Sequence, residues 1–184
     1  MLQHAQVPIL GFAAFSGTGK TTLLRRLLPR FKDLGLSVGL VKHAHHKFEI
    51  DYPGKDSFEL RKAGAAKVLV ASARLKALVA EIERAYGEPR LDELLSELPQ
   101  GDLDLILVEG FKHEAFPKIE LHRPALGRPL LFPDDPNVIA IASDAPIGRD
   151  TPLPLLGLND MEGIAEFVLQ RLFPGRARAR GLRG

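Results

Sequence analysis

Residues 14–21 read Ala-Phe-Ser-Gly-Thr-Gly-Lys-Thr, and what stands on either side constrains the fold most. Before them runs ILGFAAF (9–15), an apolar stretch with strand character. After them Leu23, Leu24, Leu27, Leu28, Phe31 and Leu34 fall on one helical face. A loop of small residues ending in Gly-Lys-Thr, between a buried strand and an amphipathic helix, is a phosphate loop. Its glycines let backbone N–H groups turn inward around an anion, and the helix N-terminus adds partial positive charge. Lys20 reaches the β- and γ-phosphates, and the Thr21 hydroxyl is offered to Mg²⁺. The first position of the G-x-x-x-x-G-K-[ST] pattern is Ala14 instead of glycine, with Gly17 adding flexibility inside the loop. The candidate nucleotide-binding residues are Ser16, Gly17, Thr18, Gly19, Lys20, Thr21 and Thr22. A glycine-rich turn that binds nothing would leave Lys20 without a packing use.

The rest of the chain continues the pattern. SVGLVKH (37–43) reads as a second buried strand, so the phosphate loop lies in a strand–helix–strand unit with a right-handed crossover. Pro29 kinks the intervening helix or marks its last turns. A helix is expected from about Ser57, with Asp56 as N-cap, Glu59 as its capping-box partner and Gly64 at its end. AKVLVAS (66–72) and KALVAEI (76–82) predict an antiparallel hairpin. Leu91, Leu94, Leu95 and Leu98 make a short helix that stops at Pro99. DLILVEG (104–110) and VIAIASD (138–144) are buried strands, KIELHR (118–123) reads as an edge strand, and PLLGL (154–158) is a further candidate. The last helix starts at Asn159, capped in the pattern Asn-x-x-Glu with Glu162.

Strands alternating with helices predict a three-layer α/β fold of the P-loop NTPase type, with a mixed, mostly parallel sheet and helices on both faces. A single nucleotide-binding domain over 1–174 is expected, followed by a basic, disordered tail over 175–184. Net charge is +2, yet the tail holds Arg176, Arg178, Arg180 and Arg183, so the remainder is slightly acidic. The tail is read as a frayed, solubilising end, and a nucleic-acid partner is not expected. The chain has no cysteine, which excludes disulfides and thiolate metal sites. No apolar run approaches the ~18 residues of a membrane helix, and no signal peptide is read at the start, so a cytoplasmic protein is expected.

Two further groups belong to the loop. Leu105-Ile106-Leu107-Val108 run into Glu109. A carboxylate at the end of a strand beside a phosphate loop binds Mg²⁺ or orients an attacking water. Glu109 is therefore the catalytic candidate and, with Thr21, a metal candidate. Asp104, at the strand's start, lies at the wrong end for a ligand. Lys42 and His43 end the second strand on the rim where open α/β sheets bind ligands. With His45, His46, Lys47 and Lys55 they offer a cationic rim for phosphates or another anion, the alternative being a solvated polar loop. Asp56 is either a cap or a third metal ligand. For a purine base, Asp144 stands after a late strand, without the Asn-Lys that commonly precedes such an Asp. Asn159-Asp160 is its rival.

The stretches KHAHH (42–46), DYPGKDSFELRKAGA (51–65), LILVEGFKHE (105–114) and PKIEL (117–121) together resemble the MobB family. The resemblance runs from the first strand to the last helix. It implies a P-loop GTP-binding homodimer with weak GTPase activity. It also implies an accessory role beside the guanylyltransferase MobA, which joins GMP to molybdopterin. On this sequence it implies a nucleotide loop at Gly17 to Thr22, Glu109 as the acidic strand-end residue, and GTP, Mg²⁺ and molybdopterin as ligands. The histidine stretch and Gly54-Lys55-Asp56-Ser57 would face the same cleft. Because it leaves a strand's carboxyl end and carries Lys42, Lys47, Lys55 and Pro53-Gly54, the loop 42–56 is itself expected to order over bound GTP and form part of a shared molybdopterin site. A small-molecule kinase, with 84–101 and Arg90 as its lid, and a non-catalytic nucleotide-responsive module are the competing readings.

Overall fold

Strand β1 (Ile9–Ala13) is buried along its whole length and delivers the chain into the glycine-rich loop. In the computed structural model, which describes residues 2–44, 48–82 and 88–181, that loop opens α1 (Lys20–Asp33). Leu23, Leu24, Leu27 and Phe31 bury one face of α1, each contributing about 1.5–3 kcal/mol relative to exposure. Pro29 lies inside α1, which runs on to Asp33. Its missing N–H deprives the carbonyl of Arg25, and both residues are on the exposed side, where water replaces the bond. The chain then forms β2 (Val38–Lys42), α2 (Asp56–Lys62), β3 (Lys67–Ala71), β4 (Lys76–Ala80), α3 (Leu91–Glu97), β5 (Leu105–Glu109) and β6 (Lys118–His122). It ends with β7 (Val138–Ser143), β8 (Leu155–Gly157), α4 (Met161–Leu172) and α5 (Pro174–Ala179).

Six strands form one sheet in the order β2-β5-β1-β6-β7-β8, and every neighbouring pair is parallel. Side chains alternate across it. Leu10, Phe12, Leu105, Leu107, Ile119 and Leu121 pack with α1 and α4 on one face. Ile9, Ile106 and Val108 pack with Leu91 and Leu95 of α3 on the other. This is the expected three-layer α/β architecture with helices on both faces. The antiparallel component lies apart, as a two-stranded sheet of β3 and β4.

The chain divides into two compact units, Met1–His43 with Pro89–Gly184, and Ala44–Glu88, where one domain is expected from length. The smaller unit holds α2 and the hairpin. Within it Arg61 is almost buried and binds Glu49 at 2.6 Å and Glu81 at 2.8 Å. The hairpin leaves Leu69, Val70, Leu75 and Leu78 exposed.

Several local expectations change. KIELHR is no edge strand: β6 lies between β1 and β7 and is buried throughout. Its charges misled the reading because they are satisfied inside. Lys118 Nζ donates to the Glu114 carbonyl at 2.7 Å and to Asp135 at 3.0 Å. Glu120 accepts from the N–H groups of Leu131 and Phe132 at 2.7 and 2.9 Å. Asp56 is the first residue of α2, not its cap; Lys55 holds the cap position, and Glu59 accepts from Gly54 N–H at 3.2 Å. In α4 the cap is Asp160, whose carboxylate accepts from Gly163 N–H at 2.9 Å, in place of Asn159.

The first part of the basic tail is helical. α5 buries Ala177 in the core shared by α1 and α4, and Arg176 bonds Asp104 at 2.6 Å. A frayed tail was expected from charge alone, but the carboxylate and the apolar contact together hold this segment. Residues 182–184 lie outside the described residues. No described helix is long and apolar enough to cross a membrane.

Candidate functional site

The carboxyl ends of β1, β2 and β5 bring the first group of residues together. In the loop after β1, Gly17 and Gly19 have φ of 83° and 100°, a left-handed backbone that side chains disfavour. This geometry turns the chain from strand into helix, and Gly19 is the residue before α1. Carbonyls on the loop are tied down. Lys20 Nζ donates to the Ala14 carbonyl at 2.8 Å. The Thr18 hydroxyl donates to the Phe15 carbonyl at 2.9 Å. Burial lowers the pKa of Lys20; Glu109 acts against that shift and Lys42 adds to it. Glu109 and Lys42 thus lie close enough to act on the charge of Lys20.

Glu109 and Lys42 are register partners in the β2–β5 pair, and their charges lie 3.3 Å apart. The Glu109 side chain is mostly buried at 14% exposure, against 53% for Lys42. His43 continues the pairing, its N–H donating to the Glu109 carbonyl at 2.8 Å. Its ring stacks on Phe111 with centroids 4.9 Å apart. The turn after Glu109 is doubly unusual: Gly110 and Phe111 have φ of 97° and 52°. Non-glycine residues held there are strained and cluster at functional positions. A Cβ on Gly110 would stand 2.6 Å from that of His43, so only glycine lets β2 and the Glu109 turn approach this closely.

Thr21 and Thr22 are exposed at the start of α1. The hydroxyl of Thr21 and the carboxylate of Glu109 are hard oxygen donors of the type Mg²⁺ takes alongside phosphate and water. The donor chemistry therefore fits that ion. Ser16, Gly17, Thr18, Gly19, Lys20, Thr21, Thr22, Lys42, His43 and Glu109 all belong to the larger unit. Lys55 and Asp56 belong to the smaller one, where Lys55 Nζ lies 5.3 Å from the centre of the Tyr52 ring. His45, His46 and Lys47 lie outside the described residues, as does most of the start of the 84–101 stretch.

One residue of the site escaped the sequence reading. Arg123, directly after β6, donates from Nε to the carbonyl of Thr18 at 2.9 Å, and its guanidinium pairs with Asp144 at the end of β7. It also lines a recess beside the phosphate loop, together with Gly19, Thr22, Arg26, Leu158 and Asn159. A basic residue at the carboxyl end of a strand is the signal that could have found it. Reading β6 as an edge strand hid its nearness to β1.

These features define a P-loop α/β protein whose loop carries a lysine and faces a strand-end carboxylate. The family model for MobB, "Molybdopterin guanine dinucleotide synthesis protein B", matches residues 9–144. The chain belongs to the MobB family. It is 50% identical over 171 residues to the molybdopterin-guanine dinucleotide biosynthesis adapter protein of Escherichia coli K12, covering 92% of this chain and 96% of that one. It is 38% identical over 168 residues to the adapter protein of Haemophilus influenzae, covering 91% of each. Among solved structures it is similar to a molybdopterin-guanine biosynthesis protein B, with TM-score 0.68 and 26% identity over 89% of this chain and 99% of that one. It is also similar to Bacillus subtilis MobB, with TM-score 0.65 and 30% identity over 90% and 98%.

Proposed function

We propose that this chain binds GTP with Mg²⁺ at the phosphate loop and hydrolyses it weakly. In this reading it acts as a cytoplasmic accessory protein in making the guanine-dinucleotide form of the molybdenum cofactor. Its partners would be a MobA-like guanylyltransferase, molybdopterin and a second copy of itself. The observation that carries the reading is the juxtaposition of Lys20, Glu109 and Lys42 at the loop of a protein whose relatives are adapter proteins for molybdopterin-guanine dinucleotide biosynthesis. The N–H groups of residues 17–22 cradle phosphate. Lys20 exchanges the Ala14 carbonyl for a phosphate oxygen, a stronger, charge-assisted bond. Thr21 and Glu109 would hold the metal, which would supply charge to offset that of the phosphates. Glu109 also orients water. Lys42 and His43 are assigned to the rim for phosphate and the anionic pterin. The exposed apolar hairpin of the smaller unit supports the homodimer, since an exposed strand of that kind is ordinarily paired or covered.

Titration with GTP and ATP, each with and without Mg²⁺, tests this on the parent, Lys20→Ala and Glu109→Gln. GTP is expected to bind the parent more tightly than ATP. Lys20→Ala is expected to lose binding while keeping its fold. Glu109→Gln is expected to bind but to turn over more slowly. ATP consumption only in the presence of an added acceptor would instead support a kinase, and affinity in Lys20→Ala within a few-fold of the parent would remove the reading.

A further inference from the structure

The sheet order places a switch point between β1 and β6. The chain leaves β1 toward β2 on one side of the sheet, and leaves β6 toward β7 on the other. Ligands of open α/β sheets bind in the crevice at the carboxyl ends of such strands. The phosphate loop forms one wall of this crevice. Arg123, which follows β6, stands on the other.

A phosphate loop works only if its carbonyls point away from the anion while its N–H groups point inward. Three carbonyls of this loop have side-chain donors. Ala14 accepts from Lys20, and Phe15 accepts from the Thr18 hydroxyl. Both donors come from the loop or the helix it opens, and the first is the lysine that a phosphate would recruit. The third carbonyl, Thr18, accepts from Arg123 at 2.9 Å. That donor comes from outside the loop and its helix, from the residue that follows β6. A guanidinium is a rigid planar fork, so fixing one edge fixes the others. Asp144 fixes one edge from the end of β7. The side chains of Arg123 and Asp144 are 34% and 24% exposed, so the pair is shielded but not sealed. An added Cβ on Gly19 would lie 3.8 Å from the Arg123 terminal nitrogen, so the guanidinium lies along the loop's backbone.

We propose that Arg123 and Asp144 are positioning residues for the phosphate loop: Asp144 orients the Arg123 guanidinium, and Arg123 holds the Thr18 carbonyl outward so that the loop's N–H groups are set for a phosphate chain. This rests on the nucleotide-binding reading above, and it gives Asp144 a role other than reading a purine base. Its carboxylate is engaged by Arg123, whereas Asn159 lines the recess beside Gly19 and Thr22 and has both a donor and an acceptor to offer. The two roles for Asp144 make opposite predictions. A base reader matters only to the nucleotide whose base it reads. A residue acting on the loop matters to any phosphate chain, with or without a base.

The test is calorimetric binding of GTP, ATP and inorganic tripolyphosphate, each with Mg²⁺, to the full chain and to Arg123→Lys, Asp144→Asn and the double variant. Arg123→Lys keeps the charge but replaces two separately placed donors on a rigid fork with a single nitrogen on a flexible stem. It should weaken all three ligands by about tenfold, the scale of one charge-assisted hydrogen bond. Asp144→Asn should weaken all three by one common factor. The double variant should lose less than the product of the two single losses, because both act on one contact. Thermal unfolding midpoints close to the parent's separate this from a general loss of folding, and if Arg123→Lys is unstable the Asp144→Asn series decides alone. A loss confined to GTP in Asp144→Asn would make Asp144 a base reader and overturn the proposal. So would tripolyphosphate affinity unchanged in either single variant. A parent that binds none of the three ligands would overturn the nucleotide-binding reading itself.

Discussion

Gly110→Ala tests how tightly the acidic strand end is built into the site. The new methyl group meets two separate obstacles. With φ at 97°, alanine is held in a backbone region that costs about 1–3 kcal/mol for a residue with a Cβ. The added Cβ would also stand 2.6 Å from the Cβ of His43 and 3.6 Å from its Cα. Those atoms belong to or adjoin the backbone of β2, so they cannot rotate away as a side-chain tip would. Overpacking of this sort costs about 1–3 kcal/mol. The two terms overlap, since one backbone shift relieves both, so a total of about 3 kcal/mol is expected. For a chain of this size that is a fall of about 6–12 °C in the unfolding midpoint. The shift that relieves the clash must lengthen the 2.8 Å bond between His43 N–H and the Glu109 carbonyl, so the proposed GTP turnover should fall together with stability. Differential scanning calorimetry on Gly110→Ala and on Gly175→Ala provides the check. Gly175 lies in α5 with nothing within 4 Å of an added Cβ, so alanine there should be neutral or stabilising by up to about 1 kcal/mol. A Gly110→Ala midpoint within about 1 °C of the parent, which for this size means under about 0.5 kcal/mol, would refute the reasoning.

Lys118→Met keeps the buried stem but removes the ammonium from Glu114 and Asp135. It should destabilise the fold by about 3 kcal/mol, the lower end for breaking a buried pair, because Asp135 retains Asn137 as a partner. Urea unfolding measures it, and a change under about 1 kcal/mol would mean that methionine packing replaces the ion pair. The carboxyl pKa of Asp104 is lowered from its ordinary 3.8, first by the Ser37 N–H and then by Arg176. A depressed carboxylate contributes stability above its unfolded value and loses it as pH falls through the folded one. Asp104→Asn should therefore flatten the acid limb of the stability profile below pH 3.8, read by chemical unfolding at stepped pH. An unchanged limb would show that Ser37 and Arg176 do not set this carboxyl.

The sequence by itself determined the elements whose signals are local. The phosphate loop was legible because glycine tolerance of left-handed backbone, an adjoining apolar strand and a 3.6-residue stripe all lie within about one helix length. Glu109 was legible because it ends a run of four apolar residues. The hairpin and α3 followed from alternation and from Pro99. Only the tertiary structure decided strand order, and with it the neighbours of the site. Lys118 and Glu120 made β6 look like an edge strand, yet burial of charge depends on partners that are distant in sequence or become neighbours only after folding. The helix over Pro174–Ala179 depends on Asp104, 72 residues away from Arg176. Arg123 reaches Thr18 across 105 residues and Asp144 across 21, and no periodicity or spacing reports such a contact. A motif records what a backbone segment can do alone; which side chains hold it in that state is set by the packing of strands against one another.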